Sequence, residues 1–235
     1  MTGRQVRDTQ RRAMGVLTLA KDGIRETVAI SLLMAAATGA ALWLFWPASV
    51  VTLAVWLLAL AFFRDPLRQP PREPGLVLAP ADGKVTDVTH LPDGRTRVGI
   101  FLSIFDVHVN RSPCAGRVAG VDYRPGKFHN ALHPISSERN ESNTITLADV
   151  PGLDGEVTVK QIAGLIARRI VCRCRVGDRL EPGQRLGMIK FGSRTELCLP
   201  LCGRRGPIEV TVRPGDRVRA GLTVVARLCG QEGEA

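Results

Sequence analysis

VGDRLEPG at residues 176–183 and PGDRVRAG at residues 214–221 are one short pattern written twice. Both fit G-D-x-ϕ-x-x-G, where ϕ is apolar. Glycine supplies a positive φ and aspartate bonds the backbone beside it, so each copy reads as a tight turn, a short strand and a second turn. A further pair lies upstream: PADGKV at 80–85 matches PCAGRV at 113–118 as P-x-x-G-x-V. Working outward, Gly and Pro punctuate the chain from Pro70 onward. Between them stand short apolar or alternating runs at 76–78, 97–101, 157–159 and 208–212. Long helical patterns are missing there. The pattern predicts a mainly β region, a barrel or sandwich of short strands.

Together the repeated units resemble the flattened barrel of lipoyl and biotinyl carrier domains. A carrier needs its modified lysine on a hairpin tip, and neither Lys84 nor Lys190 has that setting.

The N-terminal quarter is different. Residues 28–63 carry no charge. That is too long for one straight span of about 20 residues. Pro47 and Ser49 mark a break near the middle, with Trp43 and Trp46 beside it. Basic residues flank both ends: Arg4, Arg7, Arg11, Arg12, Lys21 and Arg25 before, Arg64, Arg68 and Arg72 after. The positive-inside rule places both flanks in the cytoplasm and predicts a helical hairpin, either spanning the bilayer or dipping into one leaflet. A secretory signal is excluded: the apolar stretch is too long, starts too late and lacks a small-residue cleavage site. The expected organisation is a basic segment at 1–27, amphipathic enough to lie on anionic headgroups, a membrane hairpin at 28–63 and a β domain at 64–235.

The chain of 235 residues has 32 Lys and Arg against 22 Asp and Glu, a net charge of +10. Such an excess favours an anionic partner, nucleic acid or an acidic membrane. The basic residues are scattered and Tyr123 is the sole tyrosine. With aromatic residues at 5% the composition argues against stacking platforms for nucleic acid, and an anionic membrane surface is the expected partner. The cysteine pairs Cys172/Cys174 and Cys198/Cys202 lack the spacing of a zinc ribbon. No metal site and no disulfide framework is expected, which fits a reducing cytoplasmic face.

Three polar constellations can carry chemistry. Asp82 sits in the turn APADGK at 79–84. His108, Asn110 and Arg111 lie in FDVHVNRSP at 105–113. Gly192-Ser193 lies in KFGSRTELCLP at 190–200, between two apolar runs that read as strand. Asp, His and Ser form a nucleophile set. A serine hydrolase would want G-x-S-x-G, which the flanks of Ser193 lack. An intramolecular target suits Ser193 better, because Gly192 has no side chain to block attack on its carbonyl.

Five stretches in series resemble the phosphatidylserine decarboxylase proenzymes of the short bacterial type: FFRDP at 62–66, APADGKV at 79–85, FDVHVNRSP at 105–113, RPGKF at 124–128 with ERNE at 138–141, and FGSR at 191–194. The resemblance implies self-cleavage between Gly192 and Ser193, giving a 1–192 β chain and a 193–235 α chain that stay together as a heterodimer. It implies that Ser193 becomes a covalent pyruvoyl group, that His108 is the base on Ser193 and that Asp82 orients His108. The pyruvoyl would draw off the electrons left when CO₂ departs from phosphatidylserine, yielding phosphatidylethanolamine, with His108 returning the proton. The implied location is the cell membrane, with the catalytic domain on the cytoplasmic face. Longer family members carry two histidines in an Asp-Tyr-His-x-x-His pattern. Here Arg111 stands at the second, and an arginine is no base at pH 7. His129 and His133 are nearby in sequence, as are Ser136 and Ser137. Residues 138–141 read either as a lid over the headgroup or as a solvated charged loop. The alternative from another class is a membrane-tethered barrel that binds partners and is never cut. The sequence leaves a homo-oligomer open.

Overall fold

The computed structural model describes residues 18–129, 136–164, 169–190, 193–203 and 206–228. The chain divides into two compact units, Met1–Leu67 and Arg68–Ala235.

The first unit is a helical hairpin. After a 3₁₀ turn at Lys21–Gly23, helix α1 runs Ile24–Leu44 and α2 runs Trp46–Phe62. The break is Phe45 alone, in extended conformation with φ −160° and ψ 90°. Pro47, expected to mark the break, lies inside the first turn of α2. Its missing N–H costs nothing there, because the first amides of a helix have no intrahelical partner. The arms are joined by polar contacts within an apolar pair: Thr38 Oγ1 donates to Thr52 Oγ1 at 3.0 Å, and Trp56 Nε1 donates to Ser31 Oγ at 3.1 Å. At the open end, the Ala20 amide donates to the Phe63 carbonyl at 2.8 Å and the Asp65 amide to the Thr18 carbonyl at 2.6 Å. Leu32, Leu33, Leu42, Trp43, Leu44, Phe45 and Trp46 are exposed. Helix α1 is long and apolar enough to cross a membrane; α2, with 17 residues, is shorter. Residues 1–17 of the basic segment lie outside the described residues.

The second unit is mainly β. In chain order its strands are β1 (Leu76–Leu78), β2 (Gly83–His90), β3 (Thr96–Leu102), β4 (Val109–Arg111) and β5 (Gly116–Arg124). A short helix α3 (Ser136–Arg139) precedes β6 (Ser142–Ala148), β7 (Val157–Ile162), β8 (Ile170–Cys172), β9 (Arg179–Leu180) and β10 (Arg185–Ile189). Then follow β11 (Ser193–Leu199), β12 (Cys202–Gly203), β13 (Gly206–Val210), β14 (Arg217–Val218) and β15 (Val224–Leu228). They form sheets of order β14-β2-β3-β11-β7-β6-β5-β9, β1-β15-β13-β12 and β4-β10-β8. Val98, Ile100 and Leu102 on β3 alternate inward, as do Ile145 and Leu147 on β6, Val157 and Val159 on β7, and Leu197 and Leu199 on β11; all are fully buried. Each such side chain contributes about 1.5–3 kcal/mol.

The repeated phrases share one hydrogen-bond plan. Gly83 of β2 pairs with Val218 of β14, and Gly116 of β5 pairs with Leu180 of β9. The Val85 amide donates to Asp216 O and the Val118 amide to Asp178 O; Gly215 and Gly177 return the bond to Val85 O and Val118 O. Asp216 and Asp178 each accept at Oδ2 from the amide three residues earlier, at 2.8 Å. This is the side-chain-to-backbone turn read from the sequence.

Candidate functional site

Ser193 does not sit in the middle of one continuous strand, as the flanking apolar runs suggested. It is the first residue of β11, while the preceding run is β10, a member of another sheet. The serine therefore stands where the chain passes from one sheet to the next. Phe191 and Gly192 lie outside the described residues. Ser193 pairs with Leu102 on β3 and lies on the inward face with Thr195 and Leu197. Its residue is fully buried, and its Oγ finds no hydrogen-bond partner among the described residues. Buried hydroxyls are nearly always bonded, so this one is an exception.

His108 immediately precedes β4 and is fully buried. The Ile189 amide donates to its carbonyl at 3.2 Å, which anchors it beside the end of β10, a few residues short of Ser193. Its ring Nδ1 lies 2.9 Å from the Asp106 carbonyl oxygen. That oxygen can only accept, so Nδ1 carries the proton and Nε2 is the basic nitrogen of the neutral ring. Asp106 itself is held in a closed turn, its carboxylate accepting from the Ser103 amide at 2.8 Å.

Asp82 is also buried, but its carboxylate is engaged elsewhere than on the histidine. Arg68 donates through Nη1 to Oδ1 at 2.5 Å and through Nη2 to Oδ2 at 2.8 Å, and the Ala220 amide donates to Oδ1 at 2.7 Å. The guanidinium fork matches both oxygens at once, a geometry an imidazole cannot offer. Arg68 also donates to the Ala220 carbonyl at 2.7 Å. One bond that orients the His108 ring comes from the Asp106 backbone. Sequence reasoning took Arg68 only as a basic flank of the apolar stretch and missed its pairing with Asp82.

A buried amide network, also missed, ties the β4 segment to β11. Asn110 Nδ2 donates to Thr195 Oγ1 at 3.1 Å and to the Pro80 carbonyl at 3.3 Å. Gln161 Nε2 donates to Asn110 Oδ1 at 2.9 Å, and Asn143 Nδ2 donates to Gln161 Oε1 at 3.1 Å. Asn143, Gln161 and Thr195 form one cross-strand row on β6, β7 and β11. A satisfied network of this kind fixes one packing of the strands.

Arg111, at the position of the second histidine of longer members, is buried and donates to the Gly183 carbonyl at 3.1 Å. His129 is half-buried and its amide donates to Asn140 Oδ1 at 2.8 Å; His133 lies outside the described residues. In the 138–141 stretch Glu138 and Arg139 are exposed at the end of α3, whereas Asn140 and Glu141 are buried, and Asn140 Nδ2 donates to the carbonyls of His129 and Ala163. Ser136 is buried, and Ser137 Oγ donates to Glu196 Oε2 at 2.9 Å. Among the described residues no three His, Cys, Asp or Glu side chains group as metal ligands. Burial pushes the Cys114 thiol up to about 12, so it packs as a small apolar group. Cys172 is drawn down to about 6, first by its hydrogen bond with the Cys174 thiol, which is raised in turn.

Fold and site together describe a mainly β protein with an N-terminal helix pair and a buried serine and histidine at the meeting of two sheets. The phosphatidylserine decarboxylase family profile matches residues 56–226. The chain is similar to the phosphatidylserine decarboxylase proenzyme of Rhodopirellula baltica, 42% identical over 216 residues, covering 90% of this chain and 88% of the relative. It is also similar to those of Symbiobacterium thermophilum, 48% identical over 194 residues (80% and 87%), and Solibacter usitatus, 46% identical over 201 residues (84% and 92%). The chain belongs to the phosphatidylserine decarboxylase family and is a decarboxylase.

Proposed function

We propose that this chain converts phosphatidylserine to phosphatidylethanolamine with a pyruvoyl group made from Ser193 by self-cleavage at the Gly192–Ser193 bond. The observation that carries the reading is the buried, unbonded Ser193 Oγ at the head of β11. A hydroxyl kept from both water and partners suits a group that is to be consumed, and the named relatives are proenzymes.

In this reading His108 Nε2 takes the Ser193 Oγ proton as that oxygen attacks the Gly192 carbonyl, and passes it to the Ser193 nitrogen as the C–N bond breaks, exchanging the amide for an ester. Loss of a proton from the Ser193 Cα and departure of the ester oxygen from Cβ separate the chains and leave dehydroalanine. Water then replaces its nitrogen, which leaves as ammonia. The resulting carbonyl supplies an electron sink for loss of CO₂. It would be held by β11 between β3 and β7, with His108 returning the proton to the product. Asp82 acts at a distance, holding Arg68 and the Ala220 backbone so that segments on the two sides of the cut stay together. The helix pair would bring the site to the cytoplasmic face of the membrane, and the repeats would be those of a lipoyl-like flattened barrel.

The test is an intact-mass spectrum of the purified protein. The reading expects two chains of roughly 20 and roughly 5 kDa, the smaller blocked at its N-terminus. One chain at 25.5 kDa with an ordinary serine would overturn it and favour an uncut, membrane-tethered binding module.

A further inference from the structure

Strand alternation puts Ser193 on the inward face of β11 and Arg194 on the outward face. Arg194 is nonetheless buried, and all three of its guanidinium nitrogens are engaged. Nε donates to Glu196 Oε1 at 2.9 Å, Nη2 to Asp87 Oδ2 at 2.7 Å and Nη1 to Thr86 Oγ1 at 3.2 Å. Thr86 and Asp87 belong to β2, and β3 lies between β2 and β11. The arginine therefore has to cross an intervening strand. It crosses at Gly99, which pairs with Glu196 on one side and Asp87 on the other. A Cβ at Gly99 would stand 2.5 Å from Arg194 Nη2 and 2.9 Å from Thr86 Oγ1, and closer still to Asp87 Oδ2. Gly99 is not among the glycines with positive φ, so its backbone does not require glycine. What requires it is the space occupied by the ion pair.

We infer that Arg194, Asp87 and Gly99 form a latch that positions residue 193 for reaction, through the peptide that joins it to Arg194. This rests on the reading of Ser193 as the self-cleaving residue. Before the cut, residue 193 is tethered on both sides. After it, the reacting group is the first residue of a chain, and chain ends fray unless tied down. Arg194 is the first side chain available to tie it. Its fork grips two elements that precede the cut: β2 through Asp87 and Thr86, and α3 through Glu196 and Ser137. Ion pairs, whether buried like Arg194–Glu196 or half-buried like Arg194–Asp87, add little net stability, so their use beside residue 193 points to placement rather than strength. These are positioning residues; none of them needs to touch the substrate.

The experiment uses the full-length protein in detergent. Self-cleavage is followed on denaturing gels during cell-free synthesis, and kcat and KM on phosphatidylserine in mixed micelles are taken per cut molecule. Arg194→Met and Gly99→Ala should each slow cleavage and lower kcat by about 10-fold or more, with KM within about two-fold, since only placement is lost. Arg194→Lys keeps the charge but not the fork, and should restore part of the loss. The double variant should be no worse than the poorer single, because both changes break one contact. Asp87→Asn, the mildest change, serves if the others fail to fold and should cost about three-fold in kcat. Wild-type cleavage and kcat in a folded Asp87→Asn or Arg194→Met protein would overturn the latch, as would losses that multiply in the double variant. Wild-type protein that stays uncut would instead remove the self-cleavage reading, so the two failures are distinct.

Discussion

The two copies of the repeat make the same turns and differ in what they carry. In one, residues 79–85 meet 213–221; in the other, residues 112–118 meet 175–183. Gly221 donates to Ala79 O in the first and Gly183 to Ser112 O in the second, both at 2.8 Å. Two of the differences alter hydrogen bonding. Asp82 corresponds to Ala115, and Ala220 to Pro182. Asp82 accepts from the Ala220 amide, a bond the second copy cannot make from either side, since alanine has no acceptor in its side chain and proline no N–H. The strands that follow the same plan diverge likewise. β1 is apolar, whereas its counterpart β4 contains Asn110 and Arg111 and is entered through His108, opposite Gly75 of the first copy. Glycines and turn aspartates thus set the architecture in both copies, and a few polar exchanges set the copies apart.

The comparison can be broken most severely at Ser193, which follows β10 of the second copy. Ser193→Ala should leave the chain uncut and abolish decarboxylation, read on a gel and by product assay. Next comes the exchange that separates His108 from Gly75. His108→Ala should slow self-cleavage by about 10²–10⁴-fold, and normal processing would remove the histidine from the scheme. The Asp82 exchange is a matter of cohesion. In the uncut Ser193→Ala background, Asp82→Ala leaves the Arg68 charge buried and should cost about 3–5 kcal/mol in urea unfolding. Pro182→Ala, at the position matched to Ala220, should change little, within about 0.5 kcal/mol. The last test concerns sameness. Gly177 and Gly215 have φ of 96° and 104°, and an added Cβ would meet nothing within 4 Å at either. Each Gly→Ala change should cost about 1–2 kcal/mol by forcing the left-handed backbone, and the two values should agree.

Much of this fold was legible in local patterns. The repeated phrases announced their turns because Gly-Asp chemistry acts over three or four residues. The apolar stretch announced the helix pair, although the break fell at Phe45 and Pro47 opened the second helix. The site was legible only as separate residues. Alternation alone puts Arg194 and Glu196 on one face of a strand, but not that β3 lies between them and Asp87. The match of Asp82 to Arg68, rather than to His108, depends on where residues 68, 82 and 220 meet, and no periodicity reports that. Nor did the apolar runs around Gly192-Ser193 reveal two sheets instead of one strand, because period-two patterning is blind to a change of sheet.

The first copy of the repeat joins segments from both sides of the 192–193 junction, whereas the second lies wholly before it. A cut there would change the molecularity of unfolding. An uncut single chain would melt as one molecule, at a temperature indifferent to dilution. The mature protein would come apart into two, and its melting temperature would climb with concentration. Maturation would then be a ratchet: the native arrangement is reached once by a continuous polypeptide and afterwards kept by contact alone.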